Sequence, residues 1–193
     1  MPVLRPILLT VLLGSVGLAQ NGIAPIWDVK AMLQTLLQQT EQYKATVDRL
    51  KVVDWVNQKQ ASMTYLKQQE MVLAEVGHLK TVADRFANAP EKLSLALDIY
   101  FRLQALESVT AALADGVSRY ESPENAAALQ QLVTDNTATR MKLRQYVMDL
   151  SVNKEQEYAI AEREAQRCQA ELNRNPLAPV PITGPRKRPQ EKK

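Results

Sequence analysis

The fold of this chain is decided by residues 122–175, SPENAAALQQLVTDNTATRMKLRQYVMDLSVNKEQEYAIAEREAQRCQAELNRN. After Pro123 this stretch contains neither glycine nor proline, and nearly all of its residues form helices readily. A single helix over residues 123–173 would be about 75 Å long at 1.5 Å per residue. An apolar stripe runs through its first half, from Leu129 to Leu150, whereas its second half is mostly polar. We expect earlier helices to pack along the first half, and the second half to project or to pair with another chain.

The composition indicates an all-α fold. Aromatic residues make up only 5% of the chain, and Val and Thr never alternate with polar residues over the length of a strand. Residues 20–173 therefore predict an elongated antiparallel bundle of about four long helices with coiled-coil-like seams. The predicted helices cover residues 28–52, 57–88, 90–115 and 123–173, with a bend or short connection between Val52 and Asn57.

Four apolar stripes at helical spacing define the seams of these helices. They are Val29, Leu33, Leu36, Thr40, Tyr43, Val47 and Leu50; Tyr65, Val72, Val76, Leu79, Ala83 and Phe86; Ile99, Leu103, Leu106, Thr110, Leu113 and Val117; and Leu129, Leu132, Val133, Leu143, Tyr146, Val147 and Leu150. Asn136 and Arg140 interrupt the fourth stripe, and they either fix the register of the helices or face solvent. Gly77 predicts a close approach of a neighbouring helix, and Gly116 predicts the end of the third helix.

The N-terminus has the pattern of a secretory signal peptide. Arg5 precedes an apolar core over residues 7–18, and Gly17 and Ala19 place small residues at the −3 and −1 positions of a cleavage site. We therefore predict a signal peptide over residues 1–19, cleaved after Ala19, and export to the periplasm or the extracellular space. The alternative is a retained membrane anchor.

Residues 174–193 predict a disordered, proline-rich basic tail, because the prolines there are too closely spaced for a helix. Its cationic residues are Arg186, Lys187, Arg188, Lys192 and Lys193. We expect a solvated tail without a ligand, and the alternative is that these cations make a weak, salt-sensitive contact with an anionic envelope surface. Without this tail the helical body is slightly acidic, so nucleic acid is not an expected partner.

The residue pattern predicts no catalytic site, no cofactor and no metal site. His78 is the only histidine, and a zinc site usually takes three or four protein ligands. The carboxylates of the last helix have Lys or Arg at helical spacing, which is typical of a solvated helix surface. The sequence has no glycine-rich phosphate loop and no nucleophile elbow. We expect a surface histidine and no enzyme activity.

Cys168 is the only cysteine of the chain, so an internal disulfide cannot form. It shares a stripe with Ala161, Ala165 and Leu172, which favours a small apolar residue on a helix face. The alternative is a disulfide between two chains.

A short segment near the predicted cleavage site resembles a known family. Residues 24–28, Ala-Pro-Ile-Trp-Asp, lead into a glutamine-rich amphipathic helix from Leu33 to Tyr43. This segment resembles the start of mature minor-pilus subunits of type IV secretion and conjugation systems. The resemblance implies a subunit of such an apparatus.

The residues themselves predict an exported, non-catalytic helical protein of the bacterial cell envelope. It would act as an interaction or structural module, with a protein partner or self-association through the helix seams. A further alternative is a periplasmic carrier that encloses a small apolar ligand in the bundle, although Ala- and Leu-rich seams favour close packing.

Overall fold

The computed structural model describes residues 23–174, and within this range every regular element is a helix. The helices are α1 (Ile26–Val47), α2 (Val52–Lys59), α3 (Thr64–Asn88), α4 (Leu93–Tyr120) and α5 (Pro123–Arg174). The predicted all-α class is therefore confirmed. The predicted signal peptide, and the predicted tail apart from residue 174, lie outside the described residues.

The four long helices form an antiparallel bundle in which each helix has two neighbours. α1 packs against α3 and α5, and α4 packs against the same two helices. Polar contacts show the antiparallel direction of α1 and α3, because Glu41 pairs with Lys80 while the Val47 carbonyl, further along α1, accepts from Gln69. The short connections before α4 and α5 reverse the chain again.

The stripes that the sequence predicts supply most of the core, which also contains Val52, Trp55, Ala61, Val82, Leu95, Ala96, Ala114 and Ala126. All residues of the first and third stripes are buried, and the second and fourth stripes are buried except at Tyr65, Leu132 and Val133, which are half-buried. α4 contributes more buried residues than any other described helix. Helical periodicity therefore predicts which faces meet, because burial in a bundle follows the repeat of the helix.

The predicted boundaries of the first three helices are wrong, except for the end of the second predicted helix at residue 88. The helix predicted over residues 28–52 ends at Val47, and the short helix α2 follows where a bend was predicted. α2 buries Val52 and Trp55 against the end of the bundle, and Gln60, the residue after its last turn, has a left-handed conformation with φ 56°. As a result α3 begins only at Thr64, and α4 covers residues 93–120 instead of 90–115.

Three aromatic rings pack together at one end of the bundle: Trp55 of α2, Tyr65 of α3 and Tyr120 of α4. The centroid of the Tyr65 ring lies 6.3 Å from that of Trp55 and 5.6 Å from that of Tyr120, both in edge-to-face arrangements. Gly116 lies inside α4 and not at its end, and a Cβ placed there would lie 2.5 Å from Cε1 of Tyr65. Gly116 therefore makes room for the Tyr65 ring.

Gly77 has the opposite environment from the one predicted. It is exposed, and a Cβ placed on it would meet no atom within 4 Å. The tight contact is at Gly116, where the Tyr65 side chain lies against the helix, so the sequence-based roles of the two glycines are both corrected.

Candidate functional site

A layer of buried polar side chains joins α5 to α1 and α4. The side-chain amide of Asn136 donates to the hydroxyl of Tyr43 at 2.9 Å, and both residues are buried. Arg140, one turn further along α5, forms an ion pair with Glu107 of α4. Because Asn136 is only 1% exposed, its solvent-facing alternative is excluded. These contacts connect fixed positions of three helices and so define their register.

A second set of hydrogen bonds aligns α1 with α5 beside that layer. The Thr139 hydroxyl donates to Oε1 of Gln39 at 3.0 Å, and Nε2 of Gln39 donates to the carbonyl of Asp135 at 3.0 Å. A slip of one residue along α5 would break all of these contacts at once. The polar positions on the fourth stripe therefore specify the alignment of α5.

The electrostatics of the layer follow from the burial of Glu107, which is only 5% exposed. Burial raises the pKa of the Glu107 carboxyl, and the neighbouring Arg140 guanidinium opposes that rise. Burial and the Glu107 carboxylate also raise the pKa of the Tyr43 hydroxyl. Since a buried ion pair contributes little net stability after desolvation, we interpret the layer as a device for alignment.

The second half of α5 projects from the bundle. Leu150 is the last buried residue among those that the structure describes, and all residues from 155 to 174 are exposed. The segment 151–174, here called the projecting segment, is about 36 Å long at 1.5 Å per residue. Its exposed side chains include Tyr158 at 71% and Leu172 at 58%.

Cys168 lies on the projecting segment and is exposed. It does not contribute to the bundle core among the described residues, and neither do the other members of its stripe. An apolar role for Cys168 therefore requires a partner that covers the stripe. The predicted tail cations Arg186, Lys187, Arg188, Lys192 and Lys193 lie outside the described residues.

A groove of about 460 Å³ lies between the first turns of α1 and the middle of α5. Its walls include Met32 and Tyr146, together with the charged side chains of Asp28 and Lys142. Asp28 and Lys142 are exposed, so the groove is open to solvent. An enclosed apolar ligand, as the carrier alternative requires, would need a different kind of cavity.

Two further features concern possible chemistry in residues 23–174. His78 is exposed on α3, as predicted, and its Nδ1 lies 3.6 Å from a carboxylate oxygen of Glu75. Within the same residues, no group of three or more His, Cys, Asp or Glu side chains is arranged to hold a metal ion.

No described helix is both long and apolar enough to cross a membrane.

Comparison with known proteins gives no relative: neither a protein family, nor a curated protein, nor a solved structure matches this chain significantly.

Sequence reasoning missed Glu107 as a member of the polar layer. A signal was available, because Glu107 follows Leu103 by four residues and precedes Thr110 by three, which places it beside the third stripe. Ile26 and Trp27, the first two residues of α1, are both exposed, at 57% and 72%.

Proposed function

We propose that this chain is an exported, non-catalytic helical protein of the bacterial cell envelope that acts as an interaction or structural module. The observation that supports this proposal is the projecting segment of α5, whose apolar stripe is left uncovered by the described residues. Export is supported by the signal-peptide pattern of residues 1–19.

The physical argument concerns what an uncovered helix gains from a partner. A helix outside a bundle obtains little stability from its own hydrogen bonds, because most helical stability in proteins comes from packing an apolar face. Fully burying a side chain such as Leu172 contributes about 1.5–3 kcal/mol. A partner that covers the stripe would therefore stabilise both itself and the projecting segment.

The test uses the chain without its predicted signal peptide, residues 20–193, together with crosslinking in the cells that produce it. We expect either self-association by light scattering or a specific crosslinked complex. Leu172→Asp should abolish the association, because it places a charge on the stripe. Ile160→Asp is the matched control, since Ile160 is equally exposed but lies off the stripe. A monomer without crosslinks, or equal effects of the two substitutions, would contradict the proposal.

A subunit of a type IV secretion or conjugation apparatus is the second candidate. It is favoured by the exposure of Ile26 and Trp27, which belong to the segment that resembles minor-pilus subunits, with Trp27 72% exposed. Exposed aromatic residues are enriched at protein interfaces. This candidate predicts co-purification with a pilus or channel, and loss of that co-purification in Trp27→Ala. Wild-type yield of the complex from Trp27→Ala would count against it.

A further inference from the structure

The projecting segment carries a regular seam. Tyr158, Ala161, Ala165, Cys168 and Leu172 follow each other at steps of three, four, three and four residues, which is the a and d spacing of a coiled coil. The same spacing extends back through Lys154 and Ser151 to Val147, which is buried in the bundle. The face that packs α5 into the bundle therefore continues beyond it.

Acidic residues flank this seam on both sides. The positions beside a coiled-coil seam, e and g, face the partner helix and determine which partner is accepted. Here the acids at those positions are Glu155, Glu157, Glu162, Glu164 and Glu171, and all of them are exposed. The arginines of the segment, Arg163, Arg167 and Arg174, lie at positions away from the seam. Arg167 lies 3.9 Å from Glu164 and 3.4 Å from Glu171, but these pairs are exposed and therefore weak, so both glutamates remain able to pair with a partner helix.

This charge pattern argues against a second copy as the partner. In a parallel pair of identical helices the g positions of one face the e positions of the other, so that Glu157 would face Glu162. In an antiparallel pair Glu164 would face Glu164 of the second copy, and Glu157 would face Glu171. Like charges at such positions destabilise a helix pair and suppress the wrong partner.

We infer that the projecting segment docks an amphipathic helix of a different protein, whose apolar seam is flanked by Lys and Arg. This inference rests on the proposed function and specifies its partner. The apolar stripe provides the contact area, and the glutamates provide selectivity through charge complementarity. Because the flanking positions are solvent-exposed, the complex weakens as the salt concentration rises.

The test mixes two forms of the full chain from residue 20. One form is the wild type, and the other carries Glu→Lys at residues 155, 157, 162, 164 and 171. We expect neither form alone to pair through α5, because like charges would face each other in a pair of identical chains. The mixture should form a complex containing one copy of each form, detected by light scattering. Leu172→Asp in the wild-type form should abolish it, Ile160→Asp should not, and raising NaCl from low to high concentration should weaken it by at least about tenfold.

A second measurement uses only the wild-type chain, so that it still tests the inference if the Glu→Lys substitutions unfold the projecting segment. Two synthetic heptad peptides with identical apolar seams, one flanked by Lys and one by Glu, are titrated against the wild-type chain. We expect the Lys-flanked peptide to bind at least about tenfold more tightly. Equal binding of both peptides, or binding of neither, would overturn the inference.

Three outcomes overturn the inference, and each is distinguishable from failure of the proposed function. Pairing of wild-type copies that Leu172→Asp abolishes would assign the seam to a second copy, and the interaction role would stand. Mixed pairing that occurs only after residues 175–193 are removed would assign the seam to the chain's own basic end. Absence of both the mixed complex and binding of the Lys-flanked peptide would refute selection of the partner by charge. Crosslinking in cells tests the interaction role separately.

Discussion

Alanine at Gly116 and alanine at Gly77 should change the stability of the bundle in different ways. Both glycines lie inside helices, where Ala is favoured over Gly by about 1 kcal/mol. At Gly77 the added methyl group meets no atom within 4 Å. Gly77→Ala should therefore raise the free energy of unfolding by about 1 kcal/mol.

At Gly116 the same gain is opposed by a clash. The added Cβ would lie 2.5 Å from Cε1 and 2.6 Å from Cδ1 of Tyr65, whereas carbon atoms in contact are about 3.5–4.0 Å apart. The Tyr65 ring must move by about 1 Å, and it is confined by the rings of Trp55 and Tyr120. Overpacking of this kind costs about 1–3 kcal/mol, so Gly116→Ala should be less stable than Gly77→Ala by about that amount.

Urea unfolding followed by far-ultraviolet circular dichroism measures both variants. The difference between them isolates the steric cost, because the helix-propensity gain is common to both. In a Tyr65→Ala background the clash is absent, and Gly116→Ala should then stabilise the chain as Gly77→Ala does. If Gly116→Ala is as stable as Gly77→Ala in the wild-type background, Tyr65 does not pack on Gly116 and the reasoning is refuted.

Three further predictions concern the polar layer and the projecting segment. Because burial raises the pKa of Glu107, the folded chain holds this proton to a higher pH than the unfolded chain does, so its contribution to stability is present at acidic pH and lost as the pH rises through the raised pKa. Glu107→Gln should flatten that part of the pH dependence of the unfolding free energy, and an unchanged curve would contradict it. Tyr43→Phe should lower the free energy of unfolding by about 1–3 kcal/mol in urea unfolding, because it leaves the buried side-chain amide of Asn136 unpaired. The double variant Tyr43→Phe with Asn136→Leu should recover most of that loss, because it removes both partners of the hydrogen bond. Removal of residues 155–193 should give a free energy of unfolding within about 0.5 kcal/mol of that after removal of residues 175–193 alone, because residues 155–174 bury nothing in the bundle. A larger difference would show that this part of the projecting segment packs on the bundle.

The apolar stripes were predictable because they depend only on a repeat along the chain. A residue such as Leu36 or Leu106 is buried by virtue of its spacing from its neighbours, and any partner helix satisfies it. The start of α5 at Pro123 was predictable for a similar local reason, since Ser122 and Pro123 favour a helix start.

The end of the bundle under α2 was not predictable from local sequence. Val52 and Val53 are poor helix formers, so they indicated a bend, but burial of Trp55 against Tyr65 and Tyr120 stabilises a short helix there. The contact between Gly116 and Tyr65 joins positions far apart in the chain. A glycine in a sequence shows that a close approach is allowed and does not show what approaches.

The projection of α5 follows from the lengths of the helices. Its bundle neighbours, α1 and α4, have 22 and 28 residues, whereas α5 has 52. At 1.5 Å per residue these neighbours cover about 33 and 42 Å of a helix about 78 Å long. Since the described residues provide no other helix along α5 beyond Leu150, the continuing seam can be covered only by something outside them. The glutamates beside that seam then decide which helices are accepted, because they repel a copy of themselves and attract a basic partner.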